Sequence, residues 1–155
     1  MDFASTDLAL AVGHHLLIFA LAGVLAFEVG AIKPGMSGAD AGRVGRVDLW
    51  YGILAALIIA VGFSRAVFAA KGWDYYSHNH FFWAKIGTFA LVGLLSIQPT
   101  LAIIGWRRAY AKDSAFAPSD AAVRTVRRFL WLEVFFFALI PVFAAAMARG
   151  YGSAA

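Results

Sequence analysis

Seven ionisable residues stand within or at the edge of long apolar stretches: His14, His15, Arg65 and Lys85 in one set, Glu28, Asp48 and Glu133 in another. An ionisable group at membrane depth costs several kcal/mol unless it is paired, hydrated or used. The first set joins two cations to imidazole, with no carboxylate at a similar depth inside a span. Two buried cations without a counter-charge suit an anionic ligand: a phosphate, a carboxylate or the propionates of a haem. Imidazole beside them offers an axial iron ligand or a proton-transfer group. The plainer expectation is that Arg65 and Lys85 snorkel to headgroups while Asp74 neutralises one of them. In the second set the plain expectation is charge pairing, Asp48 with Arg43 or Arg46 and Glu133 with Arg128 about one turn away.

Helical spacing selects among these residues. His14 and Glu28 are fourteen residues apart, about four turns, and share one face with Ile18, Leu21 and Leu25. His15 points about 100° away, so His14 is the preferred inward histidine. A proton path along the His14–Glu28 face is conceivable. Comparable stripes are Tyr51, Ile58, Gly62 and Arg65; Lys85, Thr88, Val92, Ser96 and Pro99; and Glu133, Phe137, Ile140 and Ala144. A histidine bonded to a neighbouring helix backbone is the structural alternative to a ligand.

Residues 71–83 are dense in aromatics, which reads as an interfacial belt or as a lid over a bundle mouth. As a lid it would offer His78 or His80 as a second iron ligand, with His15 a further alternative to His14. His78 and His80 fall on opposite sides of an extended chain, and a dedicated zinc or copper site lacks its three or four convergent ligands.

Long apolar helices must position these groups. The chain has 155 residues, 62% hydrophobic and 14% charged, with a mean hydropathy of +0.75. That excludes a soluble enzyme, a disordered chain and a nucleic-acid-binding domain. The net charge of +4 sits between apolar blocks, where it orients a membrane protein better than it grips phosphates. Without cysteine there is no disulfide, thiolate metal site or thiol nucleophile.

A bilayer core about 30 Å thick needs about 20 residues of helix, and four blocks meet that length, residues 8–32, 49–70, 81–106 and 129–148. They lack the alternation of strands. The fold class is therefore all-α, an integral membrane four-helix bundle in one domain. The first block is expected to be retained, since no lysine or arginine precedes it and its apolar run exceeds a signal core. Connectors carry nine lysines and arginines on one side (Lys33, Arg43, Arg46, Arg107, Arg108, Lys112, Arg124, Arg127, Arg128) and two on the other (Lys71, Arg149). The bias predicts both termini outside. Pro118-Ser119-Asp120 is expected to start a short surface helix carrying Arg124, Arg127 and Arg128. Pro99 and Pro141 are expected to kink their helices, and Gly13, Gly23, Gly62, Gly87 and Gly93 to permit close packing. Residues 150–155 read as a frayed end.

The ordered runs Asp48-Leu49-Trp50-Tyr51-Gly52, Gly62-Phe63-Ser64-Arg65, Lys71-Gly72-Trp73-Asp74-Tyr75-Tyr76 and Asn79-His80-Phe81-Phe82-Trp83-Ala84-Lys85 resemble a family of four-span bacterial membrane proteins with no assigned activity. The resemblance covers nearly the whole chain and implies the bacterial inner (cytoplasmic) membrane; the charge bias then places the termini on its periplasmic side. More remotely, the chain is similar to HemJ-type protoporphyrinogen oxidases and CopD-type copper-resistance proteins. In the HemJ type a first-span histidine and a lysine opening the third span are important, with haem implied; His14 (or His15) and Lys85 occupy the matching places. The Leu-Pro-Arg element that follows the histidine there is absent here, and Gln98-Pro99-Thr100 replaces a late third-span histidine. The resemblance thus implies the bundle and the haem more than the oxidase reaction.

Three functions follow as expectations. The first is a haem-binding redox protein, acting on a porphyrin or quinone, with His14 on the iron of haem b and Arg65 and Lys85 holding its propionates. The second is a small-anion carrier using Arg65 and Lys85. The third is a non-catalytic structural or assembly subunit, in a homo-oligomer or a larger membrane complex. The lipid bilayer is the partner common to all three; nucleic acid is not one.

Overall fold

Uninterrupted apolar sequence without strand alternation folds as long helices. The computed structural model describes residues 3–68 and 72–152. They form α1 (Phe3–Ala31), α2 (Gly38–Phe68), the short α3 (Gly72–Ser77), α4 (His80–Lys112) and α5 (Asp120–Ala148), with no strand among the described residues. All but α3 are long and apolar enough to cross a membrane. Lys71, the last two residues of the expected second span (69 and 70) and residues 153–155 of the expected frayed end lie outside the described residues.

The helices outrun the apolar blocks that announce them. The α1 helix already contains Asp7, and α2 starts at Gly38, well before its apolar block. The expected surface helix does not exist as a separate element. Ser119 caps α5 by accepting from the Ala122 amide at 3.3 Å, and the helix then runs unbroken into the fourth span. No glycine or proline separates Asp120 from Phe129, and Val123, Val126 and Leu130 bury one continuous face.

The four long helices pack as a ring in which α1 neighbours α2, α2 neighbours α4, α4 neighbours α5, and α5 closes weakly on α1. One end of the bundle carries both termini and α3; the other carries the α1–α2 and α4–α5 connectors. Side chains fasten both ends. At the connector end Arg127 donates to the carbonyls of Val29 (2.9 Å), in the last turn of α1, and of Ile32, just past its end, and the Gly35 amide donates to Asp120 at 2.9 Å. At the terminus end the buried Asn79 caps α4, accepting from the Phe81 and Phe82 amides, while its Nδ2 donates to the Tyr151 carbonyl at 3.1 Å.

Large apolar side chains cover the outside: Phe19 is 72% exposed, Leu94 65% and Leu101 64%. Exposure on that scale suits hydrocarbon and would be an aggregation surface in water. Close packing falls on glycines other than most of those expected. A Cβ at Gly13, Gly23, Gly87 or Gly93 would meet nothing within 4 Å, because these glycines face away from neighbouring helices. Of the expected glycines only Gly62 is tight, against His14; the other tight positions are Gly45, closed by Arg107 and Ile103, Gly38, closed by Tyr110 and the Phe116 carbonyl, and Gly152, closed by Phe81.

Candidate functional site

His14 from α1, Gly62, Arg65 and Ala66 from α2, Tyr76 from α3, Phe82 and Lys85 from α4 and Met147 from α5 surround a cavity of about 60 Å³. The absence of a side chain at Gly62 makes room for imidazole, since a Cβ there would lie 3.1 Å from His14 Cε1. The Lys85 ammonium sits 5.4 Å from the centroid of the Phe82 ring, a cation–π distance. His14 Nδ1 and Arg65 Nε are buried without a hydrogen-bond partner among the described residues. Among the described residues no carboxylate lines the cavity.

Arg65 and Lys85 therefore turn to a shared interior space, and Asp74 does not neutralise either of them. Its side chain is 98% exposed and lies 3.5 Å from His78. The aromatic segment contributes Tyr76 and Phe82 to the cavity wall, while its histidines stay out of the cavity. Tyr76 and Trp73 stack about the buried Phe82 with ring centroids 5.6 and 6.1 Å away, and Trp83 Nε1 donates to the Ser77 carbonyl at 2.9 Å. His78 Nδ1 bonds to the Asp74 carbonyl and His80 is exposed. His15 is exposed as well, its Nδ1 bonded to the Ala11 carbonyl at 2.7 Å.

A second polar cluster lies toward the connector end, with Glu28, Asp48 and Glu133 at 2%, 8% and 1% exposure. The arginine pairings expected for it do not form. Tyr51 donates to Glu133 Oε2 at 3.0 Å, and Thr100 donates to Asp48 Oδ1 at 2.8 Å. Arg43 pairs with Asp40 instead, and Arg128 faces outward. Oε1 of Glu28 and of Glu133 is buried without a partner among the described residues. Glu28 lies within electrostatic range of both other carboxylates, and Asp48 within range of Arg107.

The two clusters are related by one spacing on all four helices. His14, Arg65, Lys85 and Met147 form the cavity layer. Seven residues along each helix come Leu21, Ile58, Val92 and Ile140, all buried. Seven further come Glu28, Tyr51, Pro99 and Glu133, again all buried. Seven residues of helix rise about 10 Å, so an apolar layer separates a cationic compartment from a carboxylic one. Sequence reasoning placed most of these residues on inward stripes but missed Tyr51 and Thr100 as carboxylate partners and Phe82 and Tyr76 as cavity walls. It also missed Asp7, whose buried Oδ1 has no partner among the described residues. The seven-residue step from Asp7 to His14 was the available signal.

Residues 6–152 match the family model described as "Predicted membrane protein (DUF2214)". The chain belongs to this family. Neither the curated proteins nor the solved structures contain a match to it. The DUF2214 description names a membrane protein and no reaction, so function has to be argued from the two compartments.

The first of them is far smaller than a typical cofactor pocket. Cofactor pockets typically enclose about 300–1,000 Å³, against about 60 Å³ here, and among the described residues His14 is the only histidine lining the space. Among the described residues no group of three or more histidines or carboxylates is arranged to hold a metal ion. A volume near 60 Å³ leaves room for a few water-sized groups.

Proposed function

We propose that this membrane protein is a small-anion carrier of a bacterial cytoplasmic membrane, loading a halide- or nitrate-sized ion between Arg65, Lys85 and His14. The observation that carries the reading is the convergence of those three side chains on one small cavity with no carboxylate among the described residues of its wall. Guanidinium and ammonium supply charge-assisted donors. The unpartnered His14 Nδ1 and Arg65 Nε are the groups most in need of a ligand or water. Glu28 and Glu133, past the apolar layer, supply proton-exchanging sites, so anion movement is coupled to protons. The bias of basic residues toward the connectors supports a topology with both termini periplasmic; reporter fusions after Gly38 and Ser119 should read as cytoplasmic and one after Tyr76 as external.

The test uses the full chain in detergent and in liposomes. Bromide or nitrate should raise its melting temperature, and liposomes loaded with a halide-quenched dye should show protein-dependent flux. Arg65→Gln and Lys85→Gln should lose both effects. Wild-type protein showing neither anion stabilisation nor flux overturns the reading. The haem alternative is tested on the same sample: the anion reading expects no Soret band after growth with ample haem, whereas a band abolished by His14→Ala would put haem b in its place.

A further inference from the structure

A groove of about 570 Å³ opens on the outside of the bundle at the connector end, lined by Pro34, Arg124, Arg127, Arg128, Trp131 and Leu132. It is separate from both interior compartments. Arg124, Arg128 and Trp131 fall at i, i+4 and i+7 on α5 and so share a face. Arg127 is already committed to the α1 carbonyls and fixes the groove's floor. Arg124 and Arg128 are exposed, and neither makes an ion pair among the described residues. Asp120, the acidic residue of the first turn, is occupied by the Gly35 amide. The wall is thus cationic without a local counter-charge.

Its polarity also changes in one direction. Arg128 and Leu132 are four residues apart, about 6 Å along a helix, which is close to the thickness of the headgroup zone on one side of a bilayer. Trp131 and Leu132 are 54% and 45% exposed, at the start of the apolar part of α5. Tryptophan at that level is an interfacial anchor. We infer that this groove binds an anionic glycerophospholipid, with Arg124 and Arg128 on its phosphate and Trp131 and Leu132 against the first part of an acyl chain. Charge complementarity selects an anionic headgroup over a zwitterionic one, and the apolar continuation selects a lipid over a free phosphate.

The experiment titrates full-length protein in neutral detergent with brominated phosphatidylglycerol or brominated phosphatidylcholine and reads quenching of tryptophan fluorescence. Phosphatidylglycerol should quench at lower concentration, and Trp131→Phe should remove that extra component. Each arginine contributes about 1 kcal/mol near an anionic surface, or roughly fivefold. Arg124→Gln/Arg128→Gln should therefore weaken the preference by roughly 25-fold, while Arg149→Gln at the other end should leave it intact. Both arginines are exposed, so the double variant should keep the wild-type melting temperature. Equal quenching by the two lipids, a preference surviving the double variant, or its full loss to millimolar inorganic phosphate would each overturn the proposal. None of these outcomes bears on anion flux, which depends on Arg65 and Lys85.

Discussion

Tyr51 and Glu133 meet across the diagonal of the helix ring, hydroxyl to carboxylate at 3.0 Å, joining α2 to α5 although the two helices are not neighbours. Both residues are buried, and Glu133 Oε1 has no partner among the described residues. Tyr51→Phe leaves a buried carboxyl without its donor and should cost about 1–3 kcal/mol. Glu133→Gln keeps an oxygen acceptor for the hydroxyl and should cost less. Thermal unfolding in detergent checks the order.

Glu28→Gln should separate proton coupling from anion binding. The amide keeps the volume of the side chain and removes its exchangeable acid proton. Flux in liposomes should persist but no longer respond to an imposed pH gradient, whereas Arg65→Gln should lose flux under all gradients. A Glu28→Gln protein with unchanged pH response would remove the carboxylic compartment from the mechanism.

Glycine substitutions should divide by location. Gly45→Ala forces Arg107 and Ile103 away and should destabilise by about 1–3 kcal/mol. Gly87→Ala meets nothing and should stabilise by up to about 1 kcal/mol through helix propensity. Gly62→Ala crowds His14 at 3.1 Å, so anion stabilisation should fall more than the melting temperature does.

Arg127→Ala should loosen the α1–α5 seam. It releases the carbonyls of Val29 and Ile32 at the end of α1, where hydrogen bonds from a charged donor are worth about 1.5–3 kcal/mol. Hydrogen exchange should rise first in the last turn of α1 and the following connector.

Much of this architecture was legible because a helix buried on one side repeats its inward positions, and Glu28, Ile58, Val92 and Ile140 all fall on stripes visible in the sequence. What was not legible is how stripes from different helices meet. Glu133 lies about one turn from Arg128, and sequence proximity favoured that pair. In the fold Arg128 faces outward while Tyr51, eighty-two positions away, reaches the carboxylate. The α5 start was misread for a related reason: arginines suggested a surface segment, whereas Val123 and Val126 between them mark one side of a continuous helix. Glycine packing held only at Gly62, on an inward stripe, because composition does not say which side of a helix the other glycines occupy.

The buried layer of Leu21, Ile58, Val92 and Ile140 has an electrical consequence. A low-dielectric slab about 10 Å from either compartment concentrates any potential applied across the molecule. Moving one elementary charge through the full field is worth about 2.3 kcal/mol per 100 mV. Arg65 and Lys85 stand on one side of the slab, and Glu28, Asp48 and Glu133 on the other. Voltage across the bilayer therefore acts on the two cations through this slab, pushing them toward it or away from it according to its sign.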